Sequence, residues 1–207
     1  IMHQINKSIN KGDFNIILIN KNLQSVYFLG QFTQIRQLDV SQNNLTDLNG
    51  INHISDLQQL NCSQNQLSQF PFLPKLSTLI AFSNSITQLS AFRNYSLLKY
   101  MNVSMNRLTT LNGVEFLNLD HLNCSFNLIQ NIEKLQHVQL DYLDLSHNLV
   151  TFQMVKASKM NVKVLKLMDF DETNPICFEL NYKRQAFDEV YIEEIDGVRR
   201  DELKDAV

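Results

Sequence analysis

The 207-residue chain has no tryptophan, three cysteines, three prolines and five glycines. Each scarcity excludes something. Cys62, Cys124 and Cys177 are odd in number and too few for a disulfide framework, so a reducing compartment is expected. The glycines, at 12, 30, 50, 113 and 197, stand alone, which leaves no loop of the kind that cradles phosphate. His-Glu-x-x-His and Cys-x-x-Cys spacings are missing too. No stretch approaches the ~18 uncharged apolar residues of a membrane-spanning helix. The opening IMHQINKSINKG lacks a continuous apolar run of secretory type, so an intracellular, cytoplasmic location is expected, with cytoskeletal or nuclear placement left open. Because Ile1 precedes Met2, a fragment of a longer chain is expected as well.

Charge is also sparse. Charged residues make up 19% of the chain, the net charge is −3, and 44% of residues are hydrophobic, a composition that suits one large or two small globular domains. From Asp188 onward eight acids stand against three bases, so the tail is an acidic face. Nothing resembles the basic footprint of a nucleic-acid binder, and neither nucleic acid nor membrane is expected as a partner.

What the chain has in quantity is a repeat. IRQLDVSQNNL (35–45), LQQLNCSQNQL (57–67), LSTLIAFSNSI (76–86), LKYMNVSMNRL (98–108), LDHLNCSFNLI (119–129) and LDYLDLSHNLV (140–150) share the frame LxxLxLxxN followed by an apolar residue. Asparagine recurs at 22, 43, 65, 84, 106, 127 and 148, and VKVLKLMDF (162–170) is an eighth copy with Phe170 in place of asparagine. In LxL the two apolar residues lie two apart and share one face of a short strand. The asparagine closes the strand, since a buried carboxamide can satisfy turn groups that no strand ladder reaches. Beyond it, apolar residues recur every third position (Leu45, Leu48, Ile51, Ile54), a spacing that suits 3₁₀ turns. The third rung is short and carries Pro71 and Pro74, which tighten its outer side.

This frame resembles the leucine-rich repeat, and it covers nearly the whole chain. The ~22-residue rungs with Leu-Asn-Gly at 48–50 and 111–113 resemble the subclass found in the regulatory subunit of protein phosphatase 1. The segment NPICFELNYKRQAFDEVYIEEIDG (174–197) resembles the C-terminal cap of the spliceosomal A-prime protein and outer-arm dynein light chain one, with Asn174-Pro175, Tyr182, Arg184 and Ile195-Asp196-Gly197 on the matching positions. The resemblance implies an α/β fold, a right-handed solenoid of about eight rungs. Its parallel sheet would line the concave face, short helices the convex face, and a helical cap would close the end. The expected organisation is an N-terminal cap segment (1–13), the repeats (14–173) and a C-terminal cap with acidic tail (174–207), in one domain. Phe178, Tyr182 and Phe187 are expected on the inner side of the cap, and Ile1, Ile5 and Ile9, at helical spacing, on the first strand.

Asp120, His121, Asp141, Asp144 and His147 fall on the exposed side of neighbouring strands, where a carboxylate–imidazole pair or a metal is conceivable. Serine at 41, 63, 104, 125 and 146 is a repeat position and signals no nucleophile. We therefore expect a polar recognition surface, with no catalytic residue, metal or cofactor. The candidate partner-binding residues are Ile80, Phe82, Tyr100, Asn102, Met105, His121, Asn123, Phe126, Tyr142 and Asp144, aromatic and apolar groups beside amides and an acid on the concave sheet. The competing expectation is that a terminal segment of the same chain covers them. The functional expectation is a non-enzymatic adaptor, scaffold or regulatory subunit that holds a protein partner, as a monomer or within a larger complex. The alternative is the recognition domain of a larger enzyme or secreted effector.

Overall fold

A computed structural model describes residues 1–168, 174–179 and 181–202; Phe170, and Lys204 and Asp205 of the acidic tail, lie outside the described residues. Helix α1 (Met2–Asn10) precedes eight parallel strands, one per rung: β1 (Asn15–Ile17), β2 (Gln37–Asp39), β3 (Gln59–Asn61), β4 (Thr78–Ile80), β5 (Tyr100–Asn102), β6 (His121–Asn123), β7 (Gln139–Asp144) and β8 (Asn161–Lys166). Helix α2 (Phe152–Ser158) lies between β7 and β8, and α3 (Tyr182–Glu189), β9 (Tyr191–Ile195) and β10 (Val198–Arg199) follow. All ten strands form one sheet in chain order, with β9 parallel to β8 and β10 antiparallel to β9. This is a leucine-rich-repeat solenoid, and its register is regular: Leu38, Leu60, Leu79, Met101, Leu122 and Leu143 are Cα partners from strand to strand, all but fully buried.

Five rungs continue as 3₁₀ turns on the convex side, at Tyr27–Gln31, Ile51–His53, Ser90–Phe92, Val114–Phe116 and Glu133–His137. The third rung has no such turn before β4. Aromatic rings fill its outer side instead: Phe92 packs on Phe70 and Tyr95 at centroid distances of 4.9 and 5.4 Å, and the Tyr95 hydroxyl donates to the Pro71 carbonyl. The two Leu-Asn-Gly motifs have a steric cause. Gly50 and Gly113 lie at φ +99° and +107°, and a Cβ would stand 2.6 Å from the Tyr27 carbonyl oxygen and 2.4 Å from the Ser90 nitrogen respectively. Only glycine lets the convex turns stack this closely.

The asparagine column holds the rungs together. Asn43 donates to the carbonyls of Leu18, Val40 and Ser41 at 2.8–3.0 Å and accepts from the Lys21 and Leu23 amides. Asn65, Asn84, Asn106, Asn127 and Asn148 repeat the pattern. Asn22 does not belong to it. Strand pairing places Ile16 opposite Leu38, which puts Lys21 at the column position and leaves Asn22 exposed. At the other end Asn174 takes the place that the eighth copy leaves without asparagine, donating to Leu145 and Leu167 carbonyls at 2.8 and 2.7 Å and accepting from the Val150 amide.

The residue before each column asparagine is left-handed: Gln42, Gln64, Ser83, Met105, Phe126 and His147 have φ between 52° and 56°. Side chains with a Cβ resist this conformation, so the turn is imposed by the carboxamide bonds on either side of it.

The caps depart from expectation in two residues. Ile5 is buried and Ile9 half-buried on the first rung, but Ile1, just ahead of α1, is 45% exposed. Tyr182 and Phe187 face inward, whereas Phe178 is 67% exposed because Ile176 takes the inward position of the turn Pro175–Phe178. The cap is also more than a helix. Asp196 Oδ1 accepts from the Leu167 and Met168 amides at 2.7 and 2.9 Å, the Tyr182 hydroxyl donates to Oδ2 at 2.6 Å, and the Arg200 guanidinium donates to the Val190 and Ile192 carbonyls along β9. A side chain thus meets backbone acceptors that a further rung would otherwise pair.

Candidate functional site

Because inward positions alternate with outward ones, the strands project fixed columns from the concave face. The first outward column runs Gln37, Gln59, Thr78, Tyr100, His121, Tyr142, Val164 and Glu194, all in register. Tyr100 and His121 lie 6.1 Å apart between ring centroids, and His121 and Tyr142 6.0 Å at an interplanar angle of 28°. Tyr100 is 40% exposed and Tyr142 half-buried. The three rings are therefore one ladder on adjoining strands.

The left-handed turn creates a second ladder five residues further along each rung. Met105 and Phe126 are exposed there, and Phe126 stacks on His147 at 3.7 Å and 14°. Leu128 and Leu149, one residue beyond the column asparagines, extend this apolar edge and were not singled out from sequence. Their signal was available in the alignment, where Asn44, Gln66, Ser85 and Arg107 occupy the same place. Phe82 stands apart from Met105 and Phe126: it sits in the serine column and is half-buried beside Ile80. Ile80 and Phe82 replace together an asparagine and a serine that elsewhere bond to each other.

That bond reassigns the amides. Asn102 and Asn123 accept through Oδ1 from the backbone and hydroxyl of Ser104 and Ser125, and Asp144 does the same for Ser146. Asp144 is 4% exposed, so its carboxylate is part of the scaffold before it is part of a surface. The acids beside the histidines have cationic partners. Lys99 meets Asp120 at 3.2 Å, Lys163 meets Asp141 at 2.5 Å, and Lys166 approaches Asp144 at 3.8 Å. The Lys163 hydrogen bond and charge hold the Asp141 carboxyl below its usual range. Among the described residues no group of three or more His, Cys, Asp or Glu side chains could hold a metal. Burial, reinforced by the nearby Asp39 and Asp144 carboxylates, pushes the Cys62 and Cys124 thiols up, so neither is an available nucleophile.

The comparisons agree with this architecture. The family model for leucine-rich repeats, in two copies, matches residues 33–75. No curated protein matches the chain. Among solved structures, a leucine-rich-repeat protein of Leptospira interrogans is similar at 25% identity and a TM-score of 0.65, over 83% of this chain and 46% of that one. An internalin, inlF, of Listeria monocytogenes follows at 21% identity and 0.58, over 86% and 59%. The leucine-rich-repeat domain of APL1B follows at 18% and 0.62, over 94% and 68%. The chain thus spans about half the length of the leptospiral protein. Proteins of this architecture generally bind other proteins and are typically not catalysts.

Proposed function

We propose that this protein is a non-enzymatic recognition module, an adaptor, scaffold or regulatory subunit, that holds a protein partner on the concave face of β4–β7. The observation that supports it is the pair of ring ladders, Tyr100–His121–Tyr142 and Phe126–His147, standing on strands whose inward residues already fill the core. Exposed aromatic groups of this kind are the usual anchors of interfaces, and no rung needs them for folding. The glycine-dependent Leu-Asn-Gly turns and the Asp196–Tyr182 cap further support the phosphatase-1-regulatory-like subclass, and with it an intracellular role. A second reading, a recognition domain within a larger enzyme or secreted effector, is favoured by the fraction of its structural relatives that the chain spans.

The test is the double substitution Tyr100→Ala, Tyr142→Ala. It should lower folding stability by no more than about 1–3 kcal/mol, through the ring contacts and the Tyr142 hydroxyl beside Asp144, while each lost anchor weakens partner capture by about 1–4 kcal/mol. Thermal melting and quantitative capture from the source cell read the two effects separately. A large drop in melting temperature with capture retained would show that the rings are covered by the chain itself.

A further inference from the structure

Asn102 and Asn123 hold an orientation that the scaffold alone does not require. Each carboxamide oxygen faces a backbone N–H, that of Ser104 or Ser125 at 3.0 Å, so each NH₂ group is turned the other way. At Asp39 and Asp144 a carboxylate caps Ser41 and Ser146 by the same two bonds, at 2.9 and 2.6 Å. The cap therefore needs only an oxygen, and what asparagine adds is a donor. Asn61 directs its donor to Asp39 Oδ2 at 2.8 Å. Among the described residues, the NH₂ groups of Asn102 and Asn123 have no acceptor. The two residues are Cα partners on β5 and β6, half-buried on the floor between the ring ladders.

Resting on the reading of the concave face as a docking site, we infer that its occupant is an extended apolar segment of a partner protein, laid across β5–β7. Its backbone carbonyls accept from Asn102 and Asn123 Nδ2. A neutral acceptor fits better than an anion, because Asp120, Asp141 and Asp144 border the floor and the lysines nearby already face those acids. Among the described residues, the lysines that border the floor are thus already paired with carboxylates. An extended chain sends alternate side chains to opposite sides, with about 6.6–6.8 Å between those on one side. That repeat is close to the 6.0–6.1 Å between rings of the first ladder, and apolar groups line both sides of the floor. The first outward column reaches Glu194, with Glu193 beside it, two strands beyond Tyr142, and Arg199 on β10 follows as the Cα partner of Glu194. At about 4.8 Å per strand, a Lys or Arg about three residues past the apolar run reaches these carboxylates.

The experiment uses a phage-displayed library of random dodecapeptides selected on the intact chain, with enriched peptides synthesised and titrated by fluorescence anisotropy. Selected peptides should share a run of four or five apolar residues with a basic residue about three positions to one side. N102D/N123D keeps the serine caps, by the precedent of Asp39 and Asp144, so it should stay folded with a melting temperature lowered only by the carboxylates it stacks beside Asp144, and bind these peptides roughly tenfold or more weakly. E193K/E194K, which leaves every serine cap untouched, should weaken binding and shift a repeat selection from basic to acidic flanks. Absence of enrichment, an acidic consensus, or affinity indifferent to N102D/N123D overturns the inference. If Y100A/Y142A still abolishes binding in that last case, the concave site stands and only the backbone-acceptor mode fails; indifference to both pairs removes the site as well.

Discussion

The N-terminal and C-terminal halves of the concave sheet are built on the same inward apolar pattern and differ chiefly in what they turn outward. On β1–β4 the outward columns are Asn15, Gln37, Gln59 and Thr78, then Ile17, Asp39, Asn61 and Ile80. On β5–β7 the first column becomes Tyr100, His121 and Tyr142, and the left-handed turns carry Met105, Phe126 and His147 in place of Gln42 and Gln64. Both halves keep the buried strand residues, β2 and β3 share the serine caps of β5–β7, and the asparagine column runs from β2 through β7. The fold is therefore indifferent to the outward columns, and the concentration of rings in one half is an addition to a scaffold that is complete without them.

The comparison breaks first if the halves differ in their cores. Leu60→Ala and Leu122→Ala each remove a side chain that is 1% or less exposed, and each should cost about 2–5 kcal/mol in urea unfolding. A mild effect at Leu122 beside a severe one at Leu60 would show that the aromatic half is held by its surface rings instead. Next in size come Asn65→Ala and Asn106→Ala. Each carboxamide donates to three carbonyls, at 3.1–3.2 Å for Asn65 and 3.0 Å for Asn106, and accepts from one amide at 2.9 Å. Leaving those groups buried and unpaired should cost about 1–3 kcal/mol in either half, and the two variants should have matching denaturation midpoints.

The scaffold was legible because its rules are local and repeated. The LxL spacing placed Leu38 through Leu143 inward, and six of the seven aligned asparagines form the column. The failures fall where the period breaks. Asn22 was placed on the column by its spacing to Asn43, but register follows the apolar residues of the strand, and Leu18 aligns with Val40. Asn174 reads in sequence as part of a cap motif, because it stands four residues beyond position 170, where the repeat frame puts the column asparagine. The helical pattern points Phe178 inward, and the 3₁₀ turn at Pro175 rotates it out. The candidate face was legible as columns of residue types. The donor direction of Asn102 and Asn123 was not, because it depends on which atom of a carboxamide meets Ser104 and Ser125.

The smallest effect separates the halves most sharply. Gln64 and Phe126 both stand at left-handed backbone, φ 54° and 52°, where asparagine is tolerated better than either. Gln64→Asn relieves that strain at an exposed position with little else at stake, and should stabilise the protein by a few tenths to about 1 kcal/mol with no effect on partner binding. Phe126→Asn gains the same relief but loses the stack on His147 at 3.7 Å, a contact worth about 0.5–1.5 kcal/mol. Its net stability change should be close to zero, and its partner affinity should fall. A bulky ring kept at a strained backbone position for no stability return is what selection for binding would leave behind. If Phe126→Asn instead destabilises the protein strongly and binding is unchanged, the ring is structural, and the second ladder belongs to the scaffold rather than to the recognition face.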